Sequence, residues 1–533
     1  MSKRSLVFSM ALALGFSVLV ASGSALAQRM PPKDTLRFAG FNVKVLDPHF
    51  GGGGSTEFFQ YKVYDSLFAF DENMVVQPQM AEKFTWNADK TKLTVTLRPG
   101  LKFHDGQPVR AADVVASLKR WSNGRRGTAR IFKQFTKSID RVDDKTITWT
   151  LKEPFGMAME VFTSVRYPPA IIPERLAKTP RNKQIKDFTG SGPYVFLPDE
   201  YVPGKQLHFK KFEDYVPRSE PPSFTAGGKK VYVKKLEWKI MKDDATRVAA
   251  LRTGEIDLIQ EVPHALRNDL LNDPNVVLKP LRTGRQGLIF INHLAPPFDN
   301  KKARQALLWA ISQEETLTAI TGDPALYQTC PSVWTCASPY ATDVASEAIM
   351  KQDLEKAKQL MKEGGYNGQT IQVFQAGSTA TFSNATVLAA NLRKIGVKVE
   401  HQAMNRGAAI ARRKNTVDPN KDPKKGWHIY VQATQEVTPS IPALMGLLQG
   451  DGCNKKGFYG WTCDERIGKL KVAFGQAKSE DERKKIAAEL QKVVYDTVPY
   501  IQTGLYSNEA AYRSNVKGAV RAPSPIYWNI RKE

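Results

Sequence analysis

Cysteine is scarce in this chain, four residues in 533, and no two of them form a Cys-x2-Cys pair, so a zinc ribbon or finger is excluded. The seven histidines stand apart, with no His-Glu-x-x-His helix to hold a catalytic metal. No Gly-x-Ser-x-Gly elbow is present, and no Gly-Lys-Ser or Gly-Lys-Thr follows the run Gly51 to Gly54, which argues against a hydrolase nucleophile and a phosphate cradle. Internal repeats and low-complexity tracts are also absent. No cofactor and no metal are therefore expected, and direct catalysis finds little support.

What is present starts with a leader. Lys3 and Arg4 precede an apolar run from Leu6 to Ala21, then Ser22-Gly23-Ser24 and the small-x-small motif Ala25-Leu26-Ala27. Residues 1–27 read as a cleaved secretory signal peptide. The rival, a membrane anchor, needs ~20 apolar residues, and this run is shorter and diluted by Gly15 and Ser17. No cysteine lies near the cleavage point, so lipid anchoring is disfavoured and a periplasmic location is expected. In an exported chain the close pairs Cys330/Cys336 and Cys453/Cys463 favour two local disulfides among three possible connectivities, each contributing about 2 to 3 kcal/mol on the loop-closure model.

The chain carries 77 Lys and Arg against 53 Asp and Glu; losing Lys3 and Arg4 leaves 75 against 53, a formal +22. Basic excess admits nucleic acid, an anionic surface or an acidic ligand. The charges are dispersed and no nucleic-acid-binding signature occurs, so nucleic acid is not an expected partner. The densest stretch, from Arg406 through Arg412, Arg413 and Lys414 to Lys425, contains Pro419 and Pro423 and reads as a loop, solvated or facing ligand or transporter.

Strand and helix signals alternate, an α/β pattern. Leu93, Val95 and Leu97 alternate with polar neighbours in a period of two, and Val114, Val115, Leu118 and Trp121 recur at helical spacing after the turn at Asp105-Gly106. Further strands are expected near 146–151, 236–241, 256–259, 288–292, 371–374 and 397–401. Helices over 246–252, 353–363 and 386–395 each end at a glycine, and Ser479 to Glu482 forms a capping box opening another. About 500 residues is too much for one core, so more than one domain is expected.

The wording of Met80-Ala81-Glu82, of Leu97 through Asp105-Gly106 and of Ala112 to Leu118 resembles the signature of the family 5 extracellular solute-binding proteins, the oligopeptide- and dipeptide-type receptors of ABC importers. The likeness continues through Gly190-Ser191-Gly192-Pro193-Tyr194, Arg247 to Asp257, Pro297 to Asn300 with Ala306-Leu307, and Val498-Pro499-Tyr500. One departure is Arg110, where the family usually places a Thr or Ser cap, a loss of about 1 kcal/mol.

The resemblance implies a two-lobe periplasmic binding protein of the type II class, with a first lobe over 28–290, an extra subdomain at about 81–190, a second lobe over 291–499 and a return segment over 500–533. By analogy the chain crosses between lobes near Phe290 to Asn292 and again near Tyr500 to Gln502, and hinge closure buries a ligand. Cleft candidates are His49, Gly52, Gly53 and Tyr167 from the first lobe and Tyr430, Gln432, Thr434, Gln435, Glu436 and Trp461 from the second; His104 reads as structural. Peptide-binding members commonly carry an Asp that pairs with the peptide's ammonium where this chain has Gln435. A neutral amide cannot make that charge-assisted bond, so either Glu436 substitutes or the ligand lacks a free amine. The implied function is a monomeric periplasmic receptor that captures a peptide or other small nutrient and delivers it to an inner-membrane ABC permease. The alternatives are an exported hydrolase and a chaperone-like or sensory clamp on the same fold.

Overall fold

The alternation at Leu93, Val95 and Leu97 places all three in a core, on a strand spanning Lys92–Leu97. In the computed structural model, which describes residues 33–50, 54–124, 127–161, 163, 168–281, 284–377, 379–435, 441–455, 457–522 and 525–533, this strand sits between Ala81–Trp86 and Thr146–Leu151. Thr136–Arg141 completes a four-stranded antiparallel sheet. The helix Ala111–Ser122 covers it, burying Val114, Leu118 and Trp121 while Val115 stays half-buried. Arg110 makes no side-chain cap, yet its N–H donates to Asp113 Oδ2 at 2.8 Å, so half of a capping box survives.

Two larger sheets organise the rest. A seven-stranded sheet runs in the order Val276–Pro280, Glu509–Arg513, Leu258–Ile259, Thr35–Gly40, Lys235–Ile240, Gln206–Lys211 and Tyr194–Phe196. A six-stranded sheet runs Tyr327–Gln328, Tyr500–Tyr506, Arg285–Ile291, Ile429–Gln435, Ile371–Ala376 and Val399–Met404. The chain passes from the first to the second between Pro280 and Arg285, and back between Tyr506 and Glu509. Phe290, Ile291 and Tyr500 to Gln502 are thus strand residues inside the six-stranded sheet. The helix Ala111–Ser122 bonds the segment that follows the four-stranded sheet, Ser117 Oγ donating to Ile172 O at 3.0 Å, and Gly156 N–H, beyond the strand Thr146–Leu151, donates to Gly475 O on the helix Glu465–Gln476 at 3.0 Å.

Helix ends follow the sequence signals. Asp243, Asp353 and Ser479 cap Asp244–Arg252, Leu354–Glu363 and Glu480–Thr497 by accepting from the third residue on. The helix expected over 386–395 extends across Thr379–Lys394, and the strand expected over 256–259 shortens to Leu258–Ile259. Cys330 is bonded to Cys336 and Cys453 to Cys463. The basic stretch is not all loop, since Arg406–Arg412 is helical with Asn405 as its cap. No helix among the described residues is long and apolar enough to cross a membrane.

Gly190 and Gly192 show why the Gly-Ser-Gly motif is written as it is. A Cβ at Gly190 would lie 1.9 Å from Val63 O, and one at Gly192 2.7 Å from Lys62 O, so only glycine lets this segment close on the helix Gly54–Val63. His104 ties the signature turn to the same motif. Its Nδ1 accepts from Gly190 N–H at 3.2 Å and its Nε2 donates to Gly192 O at 3.0 Å, a neutral tautomer that burial favours by pushing its pKa down to about 4.

Candidate functional site

Strand Ile429–Gln435 pairs antiparallel with Arg285–Ile291, which in turn pairs with Tyr500–Tyr506. The register puts Gln435, Arg285 and Tyr506 in one row at the end of the six-stranded sheet, with Thr434 opposite Gln286 one step in. Groups from the other main sheet meet this row. Gln435 Nε2 donates to Glu57 Oε1 at 3.3 Å, from the helix Gly54–Val63. Arg285 Nη2 donates to both oxygens of Glu261 at 2.7 and 2.8 Å, and Glu261 follows the strand Leu258–Ile259. The carboxylate of Glu261 raises the pKa of the Arg285 guanidinium, and burial pushes Tyr506 up to about 12. Arg267 bridges the same seam, bonding Glu509 at 2.5 Å and lying 3.3 Å from Asp323.

This arrangement is a polar seam between two sheets, furnished from both sides. It offers a carboxylate in Glu57, buried at 2 % exposure, and a neutral amide at Gln435, while Gln286, one position along from Arg285, points to the opposite face of the sheet. Gln286 is fully buried, and neither its Nε2 nor its Oε1 has a hydrogen-bond partner; the same holds for Gln435 Oε1 and Asn384 Oδ1. Buried amides without partners carry a desolvation cost of about 1 to 3 kcal/mol each, which a polar ligand can relieve. Close packing also shapes the strand: a Cβ at Gly287 would fall 2.2 Å from Thr503 Oγ1.

Two openings are lined by other residues. Beneath the helix Gly54–Val63, Gln60, Tyr61, Tyr64, Asp65, Thr163 and Lys229 line a space of about 360 Å3 counting its solvent-facing part. Asp65 there is paired with Lys229 at 2.8 Å; burial would raise its pKa, but the ammonium and its hydrogen bond outweigh that and hold it low. Elsewhere, Phe290, Gln449, Asp451, Phe458, Tyr459 and Thr462 border about 240 Å3 measured the same way. Among the described residues no group of three or more His, Cys, Asp or Glu side chains could hold a metal ion.

Of the sequence candidates, Gln432, Thr434 and Gln435 lie together on one strand, and Gln435 reaches the partner sheet's helix. Tyr430, on the same strand, is 3 % exposed and stacks on Phe374 with ring centroids 4.8 Å apart. Trp461 packs against Trp427, 5.8 Å between centroids. His49 is elsewhere. It donates from Nε2 to Ala170 O at 2.8 Å, beside the buried pair of Asp47 and Arg120, and burial first, then Arg120, push its pKa down to about 4. Gly52, Gly53, Tyr167 and Glu436 lie outside the described residues, as does the leader 1–27. The sequence reading missed Glu57, Glu261, Arg285 and Gln286. Two of them begin a strand whose polar first turn of sequence could have been noticed, but their partners stand far away in the chain.

The model for bacterial extracellular solute-binding proteins, family 5 (middle), matches residues 75–456. The chain is 36% identical over 538 residues to a probable peptide ABC transporter periplasmic-binding protein of Sinorhizobium fredii, covering 100% of this chain and 99% of the relative. It is 30% identical over 406 residues to a glutathione-binding protein of Pectobacterium atrosepticum, covering 74% of each. Among solved structures, a dipeptide binding protein from a Pseudoalteromonas species in complex with Met-Leu superposes with a TM-score of 0.79 at 20% identity, covering 94% of this chain and 100% of that one. The fold is thereby that of the two-lobe binding proteins.

Proposed function

The chain belongs to the bacterial extracellular solute-binding proteins of family 5, and from that premise we propose that it receives a small peptide between its two main sheets and hands it to an ABC permease of the inner membrane. The observation that carries the reading is the seam itself. Gln435 and Arg285 from one sheet meet Glu57 and Glu261 attached to the other, so closure over a solute assembles polar groups from both sides at once. The similarity to a probable peptide ABC transporter periplasmic-binding protein and to a glutathione-binding protein, glutathione being itself a tripeptide, supports a peptide as the solute.

Glu57 supplies the feature that Gln435 lacks. A buried carboxylate held 3.3 Å from the Gln435 amide can accept from an ammonium, so a free amine needs no Asp at position 435. Solute capture requires no covalent step. Residues 1–27 serve as the secretory signal, the mature protein works in the periplasm as a monomer, and the passages at 280–285 and 506–509 act as the hinge.

The test is to purify the mature protein without denaturation, release bound molecules, and identify them by mass spectrometry, then titrate the wild type calorimetrically with dipeptides and glutathione. A stoichiometric peptide, with micromolar or tighter binding lost in Glu57→Gln, is the expected result. A released solute with no amine, or unchanged affinity in Glu57→Gln, would sink the peptide-ammonium reading.

A further inference from the structure

From Val114 to Ile139 the chain carries seven Lys and Arg and not one Asp or Glu. Arg120 turns inward to Asp47, but Lys119, Arg130, Lys133 and Lys137 are exposed. None of these four is ion-paired among the described residues, whereas surface lysines elsewhere sit against acids, as Lys102 does on Asp214, Lys301 on Asp496 and Lys302 on Glu363. The acids that bound the stretch are engaged with their own neighbours. Asp113 accepts from the N–H groups of Arg110 at 2.8 Å and Glu174 at 2.7 Å, and Asp140 accepts from Ser138 Oγ at 2.6 Å.

Local structure gathers the charges on one surface of the subdomain. The helix Gly127–Phe135 buries Thr128, Ala129, Phe132 and Phe135, with Phe132 stacked on Trp149 of the four-stranded sheet at 4.6 Å between ring centres. It exposes Arg130, Lys133 and Gln134, so its wet face is basic and carries no acid. Lys133 Nζ donates to Asn123 Oδ1 at 2.7 Å and Asn123 Nδ2 to Lys119 O at 3.1 Å, which ties the end of the helix Ala111–Ser122 to this face. Lys152 Nζ donates to Gln134 O at 2.9 Å and adds another exposed ammonium, and Lys137 follows on the edge strand Thr136–Arg141.

Exposed cations without acids among them attract an anionic partner. Two features say which kind. Between residues 85 and 141 no large hydrophobic side chain is exposed among the described residues, so the face lacks the aromatic or aliphatic anchor on which a specific protein interface is built. Four of its five cations are lysines, hydrated point charges on flexible stems rather than forks fixed for one carboxylate. Such a face fits a layer of anionic headgroups, where each basic side chain near the surface adds about fivefold to binding.

We propose that this face of the subdomain rests on anionic phospholipid and holds the protein at a membrane surface. The inference goes beyond the receptor reading and does not depend on which solute fills the seam. An attraction that salt screens concentrates a receptor where its permease lies and still lets it exchange.

The test is sedimentation of the full mature protein with vesicles of phosphatidylglycerol and phosphatidylcholine in equal parts, and with vesicles of phosphatidylcholine alone, at low and at physiological ionic strength. Arg130→Gln/Lys133→Gln/Lys137→Gln is compared with a control of equal charge made at exposed lysines of the second lobe, Lys351→Gln/Lys358→Gln/Lys362→Gln. Wild type and control should bind only the anionic vesicles, more weakly as salt rises, and the face variant should bind them about a hundredfold more weakly than either. A second variant that leaves the helix Gly127–Phe135 untouched, Lys119→Gln/Lys152→Gln, should lose about twenty-five-fold. Equal losses in control and face variants, binding to the neutral vesicles, or no binding of wild type to either kind overturns the proposal. In that last case, retention of wild type on immobilised polyglutamate would assign the face to an acidic protein segment instead.

Discussion

Replacing Lys62 by methionine should make the protein more stable at neutral pH and remove part of its dependence on pH. Lys62 lies in the helix that carries Glu57, is fully buried, and donates to Phe58 O at 2.5 Å. Four rings surround its ammonium nitrogen, those of Tyr527 at 3.7 Å, Trp238 at 4.7 Å, Phe38 at 5.2 Å and Phe209 at 5.7 Å, and no acid pairs with it among the described residues. Burial therefore drives its pKa well below the ordinary lysine value. In the unfolded chain the amine titrates near 10.4, so unfolding takes up one proton wherever the folded form is neutral. The sign follows: stability rises with pH from the folded pKa up to about 10.4, by about 1.4 kcal/mol per unit while the proton difference is whole. From pH 7 to pH 9 the wild type should therefore gain stability that Lys62→Met does not. Urea unfolding of both proteins at pH 7, 8 and 9 gives the difference directly, since every other group is shared. Wild type should close on the variant as pH rises. A gap that stays constant across the three values would mean that Lys62 keeps its proton in the folded state, held by the four rings, and would refute the reasoning.

Four buried or half-buried histidines add a dependence of the same sign at lower pH. Burial lowers His49, His104 and His428 to about 4 and His293 to about 3, against about 6.5 when unfolded, so stability should fall as pH drops below 6.5 with a proton uptake approaching four; a fitted uptake below one in the dependence of ΔG on pH would contradict their burial. Breaking the fully buried pair of Arg120 and Asp47, bonded at 2.7 and 2.9 Å, by Asp47→Asn should cost about 3 to 5 kcal/mol in denaturant midpoints, and a loss under 1 kcal/mol would show the pair to be dispensable. Reduction of Cys330–Cys336 and Cys453–Cys463 should each cost about 2 to 3 kcal/mol, measured by unfolding with and without reductant.

Local order was legible in the sequence because its cause is local. Alternation at Leu93 to Leu97 and the 3.6-residue spacing of Val114, Leu118 and Trp121 report burial of one face of a strand and a helix, and both elements stand where the pattern puts them. The capping residues Asp243, Asp353 and Ser479 act on amides within three positions, so they too can be read without a fold. The seam is a different matter. Arg285, Gln435 and Tyr506 become neighbours through strand register, and Glu57 comes to them from almost 380 positions away, which no periodicity encodes. The helix Gly54–Val63 illustrates the difficulty, since it buries Glu57, Gln60 and Lys62 and so presents no apolar stripe to a reader of sequence.

The same distinction explains why the basic excess was ambiguous. Composition counts charges without saying which lack partners, and an ion-paired arginine is silent toward ligands. Arg412 and Arg413 are adjacent and chemically identical, yet one spends its donors on the carbonyls of Pro423 and Gly426 while the other faces two tyrosine rings with a free Nε. Specificity in such a seam depends on the few charges left unpaired by the fold rather than on the net charge.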